Sequence, residues 1–177
     1  DSAKLGSEVQ ACCASVSLVP TRQRIGWRDA IAWLRNYRLL WRIRPDIVHS
    51  HSSKAGALAR GCIGPWRQVY TPHALYTLDP TLSAARRRAF GGVEALLGRF
   101  RSHKLIAVSH AEARHASEAL GIPRGRVTTI HNGVRDDARH ARLTRAEARR
   151  ALGLHPTHFV VGFVGRFAYQ KGVDRLV

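Results

Sequence analysis

Apolar and polar positions along this chain switch repeatedly between a period near 3.6 and short β-branched runs. A mixed apolar stretch, Val9–Leu18, reads as a first strand ending before Pro20. A helix follows over about Trp27–Arg44, where Ala30, Ile31, Leu34, Tyr37 and Trp41 recur at helical spacing and Pro45 ends the run. Asp46–His51 is a short β-branched strand, and Ser52–Gly56 turns it into an Ala/Leu helix that Gly64-Pro65 breaks. Gln68–Thr71 is the next strand, closed by Pro72, and His73–Leu82 is a loop with no period. Ser83–Phe100 is helical, with Phe90, Val93, Leu97 and Phe100 expected on the core face. Lys104–Val108 is a strand, Ser109 a candidate N-cap, and Ala111–Leu120 the helix it would start. Val127–Ile130 is another strand, and Asn132-Gly133 a turn.

Residues 134–143 are polar and without period, which reads as a linker. Thr144 and Glu147 form a capping box that opens a helix to Leu152, with Gly153 at its end. The apolar run Phe159–Val164 has the look of a parallel strand covered on both faces. It ends at Gly165, ahead of a loop carrying Arg166 and Lys171 and a helix starting at Gly172. Strands alternating with helices imply crossover units and an α/β class with a doubly wound parallel sheet. In such sheets ligands collect beyond the carboxyl ends of the strands. His49, Ser50, His51, Ser53, Lys54, Thr71, His73, Ser109, His110, His131, Asn132, Arg166 and Lys171 all fall there.

Composition changes this picture in two ways. The 177 residues carry 29 Lys and Arg against 12 Asp and Glu, a net charge of +17. That balance favours polyanionic partners such as nucleic acid, an anionic membrane or a phosphorylated substrate. The basic residues are dispersed, so solvated helix faces rich in Arg account for them equally well. Methionine is absent and the chain ends within an expected helix, so it reads as a fragment truncated at both ends. Cys12, Cys13 and Cys62 make neither a disulfide framework nor a zinc site and are expected as reduced core residues. No metal set is expected among the ten His, although His49 and His51 share one strand face. No apolar run reaches the roughly 18 residues of a spanning helix.

The sharpest chemical signal is Gly165-Arg166 followed by Lys171-Gly172 after an apolar strand. Two cations on a strand-to-helix loop, with free N–H groups at the helix start, suit a diphosphate. A tight turn with two solvent-facing cations is the alternative. The segment resembles the G-R-x-x-x-x-K-G signature of retaining glycosyltransferases of family 4, which have the GT-B fold. Pro45–Gly56, Tyr70–His73, Ile106–Ser109 and Val127–Val134 resemble further stretches of the same family, in order and at family spacing.

The resemblance implies an acceptor-side Rossmann-like domain over residues 1–134, lacking its first strand and glycine-rich loop. A linker and capping helix would follow at 135–156, and the start of a nucleotide-sugar domain at 157–177. It implies that Gly165, Arg166, Lys171 and Gly172 bind the donor diphosphate, with Arg166 and Lys171 stabilising the leaving group. His73 would stand beside the transferred sugar, and His51, Ser53, Lys54 and Ser109 would line the acceptor side. For each a local role stands beside this: a loop histidine at His73, a capping turn at His51–Lys54, an N-cap at Ser109.

The expected partners are a nucleotide-sugar and a lipid-linked or polysaccharide acceptor, with no cofactor and no nucleic acid. The fragment alone is expected to be inactive. The expected location is cytoplasmic, with peripheral membrane contact through Arg86, Arg87 and Arg88. A nucleotide-sugar epimerase of the same fold and a basic nucleic-acid or membrane-surface binding protein are the rival readings.

Overall fold

The computed structural model describes residues 10–21, 25–133, 143–165, 167 and 172–175. Two compact units divide at His131/Asn132. The first holds a four-stranded sheet in the order β1-β2-β3-β4, formed by Ile47–His51, Arg67–Thr71, Lys104–Ala107 and Val127–Thr129. All three pairings are parallel, with Ser50 beside Tyr70, Tyr70 beside Leu105, and Leu105 beside Val127. The helices are α1 (Arg28–Ile43), α2 (Ser53–Arg60), α3 (Ala84–Phe100) and α4 (His110–Arg114). A single π-helical turn, His115–Ala119, continues α4. The α/β class with a parallel sheet agrees with the alternation in the sequence.

Alternating strand positions build the core. Tyr70, Leu75, Leu105, Ala107, Ala116 and Ile122 form one buried cluster, and Leu40, Cys62 and Trp66 form a second. Two glycines permit this packing. A Cβ on Gly56 would lie 2.3 Å from the Tyr70 ring, and one on Gly98 would lie 2.5 Å from Ile122.

An ion pair also sits inside. Arg60 is fully buried and Glu94 is 4% exposed. The Arg60 guanidinium donates to Glu94 at 2.8 Å and stands 3.8 Å above the Tyr70 ring. The Tyr70 hydroxyl donates to the other Glu94 oxygen at 3.1 Å, and Arg60 Nε donates to the Gly56 carbonyl at 3.0 Å. Burial, with the Glu94 charge, pushes the Tyr70 hydroxyl far above its usual range.

This cluster explains why the expected core face of α3 is rotated. Glu94 and Gly98 point inward, while Val93 and Phe100 are exposed. Helical periodicity of apolar residues cannot signal a core position filled by a paired carboxylate. The α1 face is likewise shifted: Ala32 and Leu40 are buried, whereas Ile31, Leu34 and Trp41 are exposed. Trp33 stacks on Tyr37, and Trp41 meets Trp66 edge-on, so the aromatic side chains rim the core.

Two other expectations for this unit fail. Residues 10–12 are helical and 15–20 pair with no strand, so Val9–Leu18 is not a strand over its described residues. Cys12 and Cys13 are exposed, and of the three cysteines only Cys62 is buried. Burial pushes the Cys62 thiol up to about 11.

The second unit contains α5, Arg145–Ala151. Its capping box is present: Glu147 N donates to Thr144 Oγ1 at 3.3 Å, and Thr144 N donates to Glu147 Oε2 at 2.8 Å. The Thr144 hydroxyl, which donates to Glu147 Oε2 at 2.6 Å, and then the Thr144 N–H hold the Glu147 carboxyl below its usual range. Gly153 follows the helix at φ 65°. Among the described residues Phe159–Val164 has no ladder partner, and Phe159 and Val164 are almost fully exposed. An apolar run becomes a strand only where a neighbour accepts its backbone hydrogen bonds. The helix expected at Gly172 is a 3₁₀ turn, Val173–Arg175, over the described residues.

Candidate functional site

The carboxyl ends of β1, β2 and β3 bring three loops together. β1 ends at His51, so His49 and His51 project from the same strand face, with ring centroids 4.2 Å apart. β2 ends at Thr71, and Pro72 leads the chain into His73. His51 Nδ1 and His73 Nε2 are 2.9 Å apart in a hydrogen bond, and the two rings are nearly parallel at 5.1 Å. His49 Nε2 is 2.9 Å from Thr71 Oγ1. Both His51 and His73 are exposed, so the pair faces solvent where a ligand could reach it. Burial, and then the neighbouring His51 and His73 rings, lower the His49 pKa.

The backbone here is unusual. Ser52 has φ 70°, His73 φ 57° and Ala74 φ 112°. None is glycine, and each such conformation costs on the order of 1–3 kcal/mol unless its surroundings over-determine it. Ser52 is held by a bond from its N–H to the Thr71 carbonyl at 3.1 Å. Ala74 and Leu75 donate their N–H groups to one oxygen of Glu112, both at 2.9 Å. The other Glu112 oxygen accepts from Val108 N at 2.8 Å. Glu112 is 3% exposed. Sequence reading passed over it, because an acidic residue in the first turn of a helix looks like an ordinary dipole partner.

The expected site residues are distributed as follows. His51 and His73 come together. Ser53 opens α2, and Lys54 beside it pairs with Asp29 at 2.7 Å. That contact lowers the Asp29 pKa, its hydrogen bond with Lys54 being the first cause. Ser109 caps α4, its hydroxyl accepting from Glu112 N at 3.1 Å. His131 bonds the Val108 carbonyl at 3.1 Å, and its ring meets His110 edge-on. Arg166 and Lys171 lie outside the described residues. Gly165 is in a bend, and Gly172 has φ 63°. Among the described residues no group of three His, Cys, Asp or Glu has the geometry to hold a metal ion, and no helix is long and apolar enough to cross a membrane.

A fold of this kind with convergent polar loops is shared by many enzymes, and comparison with known proteins narrows it. The sequence profile of Glycosyltransferase Family 4 matches residues 2–138. The chain belongs to glycosyltransferase family 4. It is 33% identical over 141 residues to a D-inositol 3-phosphate glycosyltransferase of Actinosynnema mirum, covering 75% of this chain and 33% of that protein. It is 25% identical over 167 residues to the UDP-Gal:alpha-D-GlcNAc-diphosphoundecaprenol alpha-1,3-galactosyltransferase of Escherichia coli, covering 92% and 41%. The chain thus spans well under half the length of these family members.

Among solved structures, a glycosyltransferase from Rickettsia africae ESF-5 superposes with a TM-score of 0.55 at 14% identity, covering 86% of this chain and 39% of that one. That likeness bears on the fold, a Rossmann-like sheet of GT-B type. The motif stretches at the ends of β1, β2 and β3 fall inside the family match, so the convergent loops belong to the family domain.

Proposed function

We propose that the full-length protein is a retaining glycosyltransferase that moves a sugar from a nucleotide-sugar onto a phosphate-bearing acceptor. The observation that carries this reading is the coincidence of the family match with the His51–His73 edge, where loops from successive strands converge at the carboxyl end of the sheet. His73 stands at the transferred sugar. Its imidazole has a ring nitrogen to bond a sugar hydroxyl while the other meets His51. Arg166 and Lys171 hold the donor diphosphate and stabilise the charge that grows on it as the glycosidic bond breaks. Two cations suit that task because the leaving group carries more charge in the transition state than in the ground state.

His51, Ser53, Lys54 and Ser109 line the acceptor side. Lys54 would have to exchange its partner Asp29 for the acceptor. Two relatives support a phosphate-bearing acceptor, one named for an inositol phosphate and one for a diphosphate-linked lipid. The excess of Arg over acidic residues suits such ligands. With a lipid-linked acceptor, Arg86, Arg87 and Arg88 at the start of α3 would face an anionic membrane from the cytoplasmic side. Of these, Arg87 also donates to the Asp79 carbonyl at 3.1 Å.

The test is release of nucleoside diphosphate by the full-length protein supplied with nucleotide-sugars, together with the anomeric configuration of the product. Arg166→Ala and Lys171→Ala should each lower turnover by about 10²–10³-fold. Unchanged kinetics in both would remove the diphosphate clamp. Release without transfer to any acceptor, with the donor sugar epimerised instead, would favour the epimerase.

A further inference from the structure

We infer that Glu112 is the positioning residue of this site, holding His73 in its working orientation through the backbone of the loop that carries it. The inference rests on the transferase reading for what His73 does, and on geometry alone for how His73 is held. The loop after β2 adopts φ 57° at His73 and φ 112° at Ala74. Both lie where side chains other than glycine's are disfavoured, so the chain would leave that conformation unless tied there.

The tie is one carboxylate. Glu112 Oε1 accepts from Ala74 N and Leu75 N, both at 2.9 Å, and Oε2 accepts from Val108 N at 2.8 Å. Glu112 is itself fixed. It lies in the first turn of α4, its N–H bonded to Ser109 Oγ at 3.1 Å, and its side chain is 3% exposed. Three charge-assisted bonds in a dry setting are stiff as well as strong. On the far side Leu75, 1% exposed, anchors the loop in the core. The only side-chain freedom left at the tip is the His73 ring, and His51 removes part of it through the 2.9 Å nitrogen–nitrogen bond.

One residue from the first turn of α4 and one from the end of β1 thus fix a histidine borne by the loop after β2. A carboxylate is required for the whole of this. Glutamine could accept from Ala74 and Leu75 through its carbonyl, but would turn an NH₂ group toward the Val108 N–H, donor against donor.

The experiment uses the full-length protein. Glu112→Gln is compared with Ile122→Val, which trims one methyl from the core cluster that also holds Leu75 (Ile122 is 1% exposed) and removes none of the hydrogen bonds that tie the loop backbone. Three readouts are taken: hydrogen exchange at the Ala74 and Leu75 amides, kcat against donor KM, and melting temperature. Glu112→Gln should speed exchange at both amides by about tenfold or more and lower kcat by about tenfold, with donor KM within about twofold. Ile122→Val should lower the melting temperature and leave both loop exchange and kcat alone. Should Glu112→Gln not fold, Glu112→Asp keeps the charge, draws the carboxylate back by one methylene, and gives the same readouts. Unchanged exchange and kcat overturn the inference, as does a kcat loss that merely follows melting temperature in both variants. If the unsubstituted protein transfers no sugar, the transferase reading falls, while amide exchange still decides whether Glu112 holds the loop.

Discussion

Two polar clusters in the first unit differ in composition, in burial and in the backbone that carries them. Arg60, Glu94 and Tyr70 are buried, Glu94 accepts from both of the others at 2.8 and 3.1 Å, and their backbone lies in regular helix and strand. His49, His51 and His73 are exposed, and two of the residues that seat them, Ser52 and Ala74, have positive φ. A buried ion pair with its hydrogen bonds satisfied holds a core in one arrangement. Strained backbone at an exposed edge is kept only where the surroundings enforce it, and it gathers at sites that bind or react. The contrast marks the first cluster as structural and the second as the candidate site without reference to any relative.

Substitutions can break that contrast, beginning with the largest effect. Glu94→Ala leaves the Arg60 charge buried and unpaired and should cost about 3–5 kcal/mol of stability in urea unfolding. A loss below about 1 kcal/mol would make the cluster incidental. Gly56→Ala drives a Cβ into the Tyr70 ring and should cost about 1–3 kcal/mol by the same measurement, because overpacking displaces the whole cluster. At the other cluster the sign reverses. Ala74→Gly relieves the φ of 112° and should stabilise the protein by about 1 kcal/mol, the released strain exceeding the gain in unfolded-chain entropy. A destabilised Ala74→Gly protein would mean that the loop is not strained.

The smallest effect concerns pH. His49 and His115 both have lowered pKa values, burial being the first cause for each. Each is harder to protonate folded than unfolded. Their contribution is therefore present above the ordinary histidine value, near pH 6.5, and is lost as pH falls from there through the lowered folded values. The melting temperature should drop between about pH 7 and pH 5, and His49→Gln should make that drop shallower. An identical pH profile in the variant would contradict the assignment.

Much of the fold was legible in the sequence. β1 through β4 lie within about a residue of the expected strands, because β-branched runs bounded by Pro and Gly have few other solutions. The capping box at Thr144 and the N-cap at Ser109 were legible for the same local reason. What escaped depends on distant partners. Glu94 reads as a surface charge until Arg60 is placed against it, 34 residues away. Glu112 reads as a first-turn acid until the Ala74 loop arrives from 38 residues upstream. Phe159–Val164 reads as a strand and has no ladder partner among the described residues. At the site, His51 and His73 were named from the chain, but their contact, 22 residues apart, follows only from the parallel register of β1 and β2.

The claim on which the rest depends is that the exposed cluster acts and the buried one supports. Steady-state transfer by the full-length protein carrying His73→Ala tests it most directly. The account predicts kcat lowered by about ten- to a hundredfold, with a melting temperature close to that of the unsubstituted protein. A variant that turns over at the unsubstituted rate would contradict it.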